Sequence, residues 1–502
     1  MELHAKTQAV TTAAVLLDAA EERPVDADVV LPDYCPDVAA ILTCELVPSV
    51  TANGWNGDKL TVEGTALVRV LYLAEDRRCV HTYEVSQAFS AGFLTDGRQG
   101  ETAVTVTAAT EYVHCRAVSP RRLDIHGAFC VKATAMTTNG QTVLAEVADD
   151  TTFLKTEEIA ATVPAVSAQK PFSVNETLGN AAGIARVLRS SAVPAVSEVK
   201  VLAGKAIVKG DLHIACLLAG EGEDGKTTEK AVSLPFSQMV DLPGVDDSMP
   251  VEARASVSSH SLRVEDDGGG KILYSSTKLL LSAQAWKEET SAVVTDVYST
   301  AMPVMAETTA ISICRLANAT SCELSVKKTV ELPNDVAEIL SVWCEAMPLS
   351  AEASEQKTTL SGRLTVHLLG TDGEGQVQYY ERTADFSELL DGAASAEEDT
   401  LSVLSSDVSA ESVGQMTVTA RLCVSRRQFE NTEFDVVTDV TGDESAAYPA
   451  SDAAVKILYA EAGESLWDVA KVGHTSVARL KAENELECDI LEERTMLLVP
   501  LM

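Results

Sequence analysis

Three stretches of strict apolar/polar alternation organise the chain, and each follows a glycine. After Gly64 the apolar positions are Ala66, Val68 and Val70. After Gly210 they are Leu212, Ile214 and Cys216, and after Gly362 they are Leu364, Val366 and Leu368. A period of two is that of a strand with one buried face. The intervening positions include Arg69 and His367, each five residues beyond its glycine, and His213, three beyond its own, for which the pattern predicts the solvent face of the strand. Turn-forming residues come next, at 75–77, 220–226 and 372–375, and then a second run that closes on Phe89-Ser90, Phe236-Ser237 and Phe386-Ser387. Later in each copy come further strand-like runs, such as Val104-Thr105-Val106-Thr107, Lys278-Leu279-Leu280-Leu281 and Met416-Thr417-Val418-Thr419.

The same spacing extends upstream. Leu31-Pro32, Asp37-Val38-Ala39-Ala40-Ile41-Leu42 and Pro48 return as Leu332-Pro333, Asp335-Val336-Ala337-Glu338-Ile339-Leu340 and Pro348. A middle copy has Ile184-Ala185-Arg186-Val187-Leu188 before Pro194. Copies two and three also end alike, at Val293-Val294-Thr295-Asp296-Val297 and Val436-Val437-Thr438-Asp439-Val440. Self-similarity of this kind predicts a mainly β chain of three repeated β-sandwich-like domains, each about 130–150 residues long. The expected boundaries are 1–165, 166–305 and 306–442. One short helix per copy is expected, at residues 38–44 and their equivalents. A polar, small-residue stretch at 443–454 reads as a linker.

Residues 455–502 follow a different pattern. Gly463 leads into Ser465, which with Asp468 makes a Ser-x-x-Asp helix start, and Leu466, Val469 and Ala470 then share one helical face. Gly473 ends that helix. Thr475 is placed to cap a second one, with Val477 and Leu480 inward and Asn484 at its end. Apolar runs at Ile457-Leu458-Tyr459 and Met496-Leu497-Leu498-Val499 predict a strand on either side, giving a small β-α-α-β module.

At Gly463, Ser465, Leu466, Trp467, Val469, Ala470, Leu480, Asn484, Leu491, Leu497 and Val499-Pro500 this tail resembles a LysM module. The resemblance implies a ligand groove between the loop before the first helix and the loop before the last strand. The residues it nominates are Gly463, Glu464, Ser465, Leu466, Trp467, Asn484, Leu491, Glu493, Arg494 and Thr495. LysM modules usually bind N-acetylglucosamine-containing glycans. Where they usually carry Pro-Gly-Gln, however, this chain has Glu493-Arg494-Thr495. Clustered carboxylates around Trp467 or Leu466 fit an apolar anchor in a charged rim, the form of a protein-docking patch. A core role for Trp467 and Leu466 is the other reading.

Charge narrows the partners. The chain of 502 residues has 39 basic and 75 acidic side chains, a net charge of −36. Such a field disfavours nucleic acid and anionic membrane surfaces. No apolar run is long enough to cross a membrane, and Met1-Glu2-Leu3-His4 does not open a secretory signal. Eleven dispersed cysteines without a Cys-x-x-Cys predict reduced thiols.

The Leu-Pro-x-x-x-x-Asp-Val-x-x-Ile-Leu stretch from Leu31, the strand Leu60-Thr61-Val62-Glu63-Gly64 and Thr295-Asp296-Val297-Tyr298-Ser299 resemble the SPOCS-type domain family of endospore-forming bacteria. Tandem SPOCS-type domains followed by one LysM module are similar to the arrangement of spore-coat morphogenetic proteins. That resemblance implies a scaffold in the mother-cell cytoplasm at the forespore surface. Its module would dock onto the ATP-hydrolysing basement-layer coat protein. Binding of peptidoglycan or a related glycan at the wall or cortex is the alternative.

No catalytic constellation stands out. Gly220-Glu221-Gly222-Glu223-Asp224-Gly225-Lys226-Thr227 fits the P-loop expression, but a strand-like run follows where a P-loop needs a helix, and its acids would repel phosphate. It reads as a hairpin loop. His114, Cys115, His126 and Cys130 are zinc-type residues, but neighbours on a strand face opposite ways. The expectation is a non-enzyme with no cofactor and no metal.

Overall fold

The computed structural model describes residues 4–96, 100–222, 226–266, 268–333, 335–354, 357–391, 396–412, 414–449 and 455–500. Strands dominate, as the alternation predicts. The first unit holds β1 (Ala5–Val30), β2 (Ala40–Asn56), β3 (Lys59–Leu73), β4 (Val80–Leu94), β5 (Thr102–Ser119) and β6 (Arg122–Val147). The second holds β7 (Thr152–Asn180), β8 (Ile184–Leu202), β9 (Lys205–Gly220), β10 (Thr227–Asp241), β11 (Val251–Asp266) and β12 (Lys271–Ser299). The third holds β13 (Val304–Glu331), β14 (Glu338–Ala353), β15 (Lys357–Thr371), β16 (Val377–Asp391), β17 (Ala396–Ser412) and β18 (Gln415–Gly442).

All three units have one topology: a meander, β2-β3-β4 in the first, and a second sheet in the order β1-β6-β5, with equivalents in the others. The expected boundary at 165/166 falls inside β7. That at 305/306 falls just inside β13, and 442/443 coincides with the end of β18. In the glycine-rich stretch residues 223–225 lie outside the described residues. Around them β9 and β10 form an antiparallel hairpin, with Gly220 N donating to Lys226 O at 2.9 Å.

The repeated Gly and Phe landmarks are one interaction seen three times. Gly64 pairs across the sheet with Phe89, Gly210 with Phe236 and Gly362 with Phe386. Each ring lies over its glycine. A Cβ at Gly64 would come within 2.3 Å of Phe89, one at Gly210 within 2.6 Å of Phe236, and one at Gly362 within 2.4 Å of Phe386. The aromatic ring covers the backbone that the missing side chain leaves bare. Val68, Ile214 and Val366 are buried on the same sandwich-facing side, as the alternation requires.

The helix expected at residues 38–44 is not there. Ala40 begins β2, and the equivalents begin β8 and β14. The apolar pair that imitates helical spacing is divided by a β-bulge, at Ile41/Thr43, Ile184/Arg186 and Val187/Arg189, and Ile339/Ser341. Ile41, Val187 and Ile339 enter their own sandwich cores. Their neighbours Leu42, Leu188 and Leu340 turn the other way, into a cluster shared by all three units.

That cluster also overturns the expected solvent face. Leu71, Leu217 and Leu369, each seven residues beyond its glycine, meet in it with Val80, Val377 and Trp343. Equivalent residues of three repeats in one cluster imply an approximate threefold axis. Arg69 and His367 are accordingly buried at 4% and 7% exposure, and His213 is half-buried. Glu45 accepts from Arg189 Nε at 2.6 Å and from Arg69 at 3.1 Å, joining repeats one and two. The Arg189 guanidinium lies 4.6 Å from the Trp343 ring, which stacks on His367 of repeat three.

The long outer strands join the repeats a second time. β5 pairs with β6 only as far as Thr137, and β6 then runs on to Val147 against β1 alone. β12 and β18 do the same with β7 and β13. A bulge marks each exit from the sandwich, at Val15/Leu17, Ala285/Trp286 and Leu316/Asn318. The three two-stranded arms bury Val143, Val293 and Val436 together, then Leu144, Val294 and Val437. Fully burying such a side chain contributes roughly 1.5–3 kcal/mol, whereas a buried ion pair contributes little net. The apolar contacts therefore hold the repeats together, and the Glu45 network fixes their register.

Burial pushes the Glu45 carboxyl up, but the charges of Arg189 and Arg69 outweigh it and hold the group below its ordinary 4.5. A lowered folded pKa stabilises above the unfolded value and loses that contribution as pH falls through the folded one. Replacing Arg189 by Ala is expected to cost about 3–5 kcal/mol at neutral pH, since it strips a buried charge of one partner. The loss should shrink on acidification below the ordinary value. Urea titrations at several pH values measure both, and an unchanged midpoint at neutral pH would contradict this account of the junction.

Candidate partner-binding site in the C-terminal module

The tail forms β19 (Val455–Ala460), α1 (Leu466–Gly473), α2 (Val477–Asn484) and β20 (Thr495–Pro500). β19 and β20 are antiparallel neighbours. Ser465 caps α1: its Oγ accepts from Asp468 N at 3.1 Å and donates to the Asp468 carboxylate at 2.6 Å. Ser476, not Thr475, caps α2, accepting from Arg479 N at 3.2 Å. Thr475 is instead buried, and its carbonyl accepts from the Tyr298 hydroxyl.

Of the nominated residues, three are framework. Leu466 and Leu491 are buried in the small core, at 0% and 3% exposure, so neither is a surface anchor. Asn484 ties α2 to β20: its amide donates to Leu498 O and its Oδ1 accepts from Leu498 N, both at 2.7 Å. Gly463 (φ +89°) takes a left-handed turn and donates to Leu491 O at 2.8 Å, and Leu466 N donates to Asp489 O at 2.8 Å. Ser465 makes an isolated bridge to Ile490. The two loops do meet, but the segment opposite Gly463 is 489–491 rather than 492–495. The reason is that Leu491 must turn inward to close the core. Glu464, Glu493 and Arg494 are exposed, and Thr495, opening β20, is half-buried with its hydroxyl donating to Glu493 O. Arg494 pairs with Glu461 at 3.2 Å and lies 5.9 Å from the Tyr459 ring.

Trp467 is engaged within the chain. Its indole N–H donates to Asp296 Oδ2 at 2.7 Å, and its ring meets Tyr298 edge-on at 4.7 Å. Lys471 holds the same carboxylate at 2.7 Å. Tyr298, stacked on Phe153, is buried in the module's own core and donates to Thr475 O at 2.8 Å. Tyr448, ahead of the module, rests on His474. The expected linker is thus in part a contact; its residues 450–454 lie outside the described residues. Burial raises the Asp296 pKa, and the hydrogen bonds from Lys471 and Trp467 more than reverse this.

Sequence reasoning singled out 295–299 as a repeat landmark but not as a docking site. The signal was Tyr298. Asp296 has counterparts at Glu146 and Asp439, but the next-but-one residue is Ala148 in repeat one and Thr441 in repeat three. Only repeat two offers an aromatic there.

A family model described as SipL, SPOCS domain matches residues 183–265. In this stretch the chain is similar to SipL. The match covers β8 to β11, so in repeat two the SPOCS domain lies between the long strands β7 and β12 that build the arm. It connects the chain with sporulation and the spore coat. No curated protein and no solved structure matches. Among the described residues no helix is long and apolar enough to cross a membrane, and no group of three or more His, Cys, Asp or Glu is arranged to hold a metal ion.

Removing the Asp296 carboxylate should loosen the module from the repeats. Asp296→Ala is expected to speed amide hydrogen exchange in residues 466–480 on the order of tenfold, the effect of losing hydrogen bonds to a charged group. Exchange in β9 and β15 should not change. Unaltered exchange in 466–480 would mean that the contact does not hold the module.

Proposed function

We propose that this protein is a non-enzymatic scaffold or adaptor of endospore coat assembly that captures a coat partner through its C-terminal module. The observation that carries the reading is the SPOCS match inside one of three like units that bury their apolar surfaces against one another. Such a body presents surfaces in fixed relation. The proposal reads the module as a LysM module, supported by its strand, helix, helix, strand order and by a single core of Leu466, Ala470, Leu480, Leu491, Leu497 and Val499. The partner is the ATP-hydrolysing basement-layer coat protein that the resemblance implies, met on the mother-cell side of the forespore. No catalytic group enters the proposal.

This reading sets the docking patch away from Trp467, whose indole is engaged by Asp296 and Tyr298. With that face turned to repeat two, the exposed groups include Glu461, Glu464, Glu492, Glu493 and Arg494, beside the outward Ile457, Tyr459 and Met496 of the two strands. Arg494 lies between the acidic rim and the apolar face. A guanidinium on an aromatic ring beside carboxylates is the composition of a protein-docking centre. Weak contacts here gain from avidity when several chains line one layer.

The full chain, immobilised, should retain the purified basement-layer protein, and Arg494→Glu should weaken that retention at least about tenfold, within the range for a central interface arginine. Its circular dichroism and melting curve should match the parent. Calorimetric titration with chitin oligomers should give no saturable heat. Saturable binding of the oligomers, with no retention of the coat protein, would replace this reading with glycan recognition.

A further inference from the structure

Repeat one contains a thiol pair that its fold does not require. Cys44 lies on β2 and Cys115 on β5, and these are edge strands of the two sheets of that sandwich. The two edges face each other closely enough for Thr110 Oγ1 on β5 to donate to Leu46 O on β2 at 2.5 Å. Both cysteines pack against the same core and neither is fully buried. Each thiol acts on the other as its nearest titratable neighbour, and the two are not joined. The position of Cys44, opposite the residue six beyond the glycine, is Ser190 in repeat two and Val342 in repeat three. A sulfur at this place is therefore not a condition of the sandwich.

We infer that Cys44 and Cys115 form a reversible oxidation site, which a low-molecular-weight disulfide converts into a covalent cross-link between the two sheets of repeat one. The pair is unequal. The neighbouring Cys44 pushes the Cys115 thiol down, while Cys115 and burial push Cys44 up. Cys115 is thus the first nucleophile. As thiolate it attacks one sulfur of the small disulfide, whose S–S bond breaks. The departing thiolate takes up the proton that Cys115 released. Cys44 then loses its proton and attacks Cys115 Sγ, and the second small thiolate leaves with that proton. Two protein thiols are oxidised and one small disulfide is reduced to two thiols. The link would tie β5 to β2 one residue from Glu45, the carboxylate at the repeat junction.

Incubation of the full chain with oxidised glutathione, followed by acid quench and peptide mapping, tests this. The exposed Cys488 reports that the reagent has reacted. The expected product is a peptide linking Cys44 to Cys115, reversed by dithiothreitol. It should bring a rise in melting temperature on the order of 5 °C, from restraint of the unfolded chain. Cys44→Ser should lose the link and leave Cys115 as a glutathione adduct, whereas Cys115→Ser should leave Cys44 unmodified. Glutathione on Cys488 while Cys44 and Cys115 stay free, or carry only separate adducts, would overturn the inference.

Discussion

The structure depends on strands that are longer than their own sandwiches can cover. β6, β12 and β18 each leave a three-stranded sheet as half of a two-stranded arm. A two-stranded ribbon is marginal in water by itself. Each arm is covered by the other two, and Val143, Val293 and Val436 are buried in one cluster with Val10, Ile159 and Ile311. The same dependence holds at the other junction, where Leu71, Leu217 and Leu369 meet. Repetition thus supplies the missing surface, and the approximate threefold arrangement is the simplest way for three like surfaces to cover one another.

Against that near-symmetry the chain needs features that distinguish one repeat from another. Buried charge provides one. Glu45 of repeat one is satisfied by Arg189 of repeat two, which in turn stacks on Trp343 of repeat three, so the three units are not exchangeable there. Arg427 plays a like part nearer the arms, donating to Gln284 at 3.0 Å and to Glu252 at 2.9 Å in repeat two. Polar groups of this kind add little attraction, but a wrong neighbour would leave them unpaired, and that penalty sets the register.

The C-terminal module uses the asymmetry once more. It has a small core of its own, yet Tyr298 of repeat two completes that core from outside. The module is therefore held at one place on the body with its two strands outward. Anything bound by the module would thereby be oriented relative to the repeats as well as tethered to them. A tethered but freely rotating module would raise local concentration without fixing direction.

Much of this was legible along the chain. Period two after Gly64, Gly210 and Gly362 marked three strands and their inner faces, because strand side chains alternate whatever the context. The Ser465 cap, the apolar face of α1 and the flanking strands were local chemistry and so could be read locally. The outer face of the sheets was not. Arg69 and His367 look like solvent residues until another repeat is laid over them. The hint, unbroken Leu71-Tyr72-Leu73 at the end of β3, is two-faced burial that a single strand cannot explain. The helix expected at residues 38–44 failed for the same reason, since Ile41 and Leu42 serve two different cores and only a bulge between strands separates them. Trp467 was legible as an important aromatic, but its neighbour lies 171 residues away. The sequence by itself determined which residues alternate and where chains turn, because those follow from backbone geometry. Only the tertiary structure decided which polar-looking faces are interfaces, because that depends on what three repeats and one module can cover together.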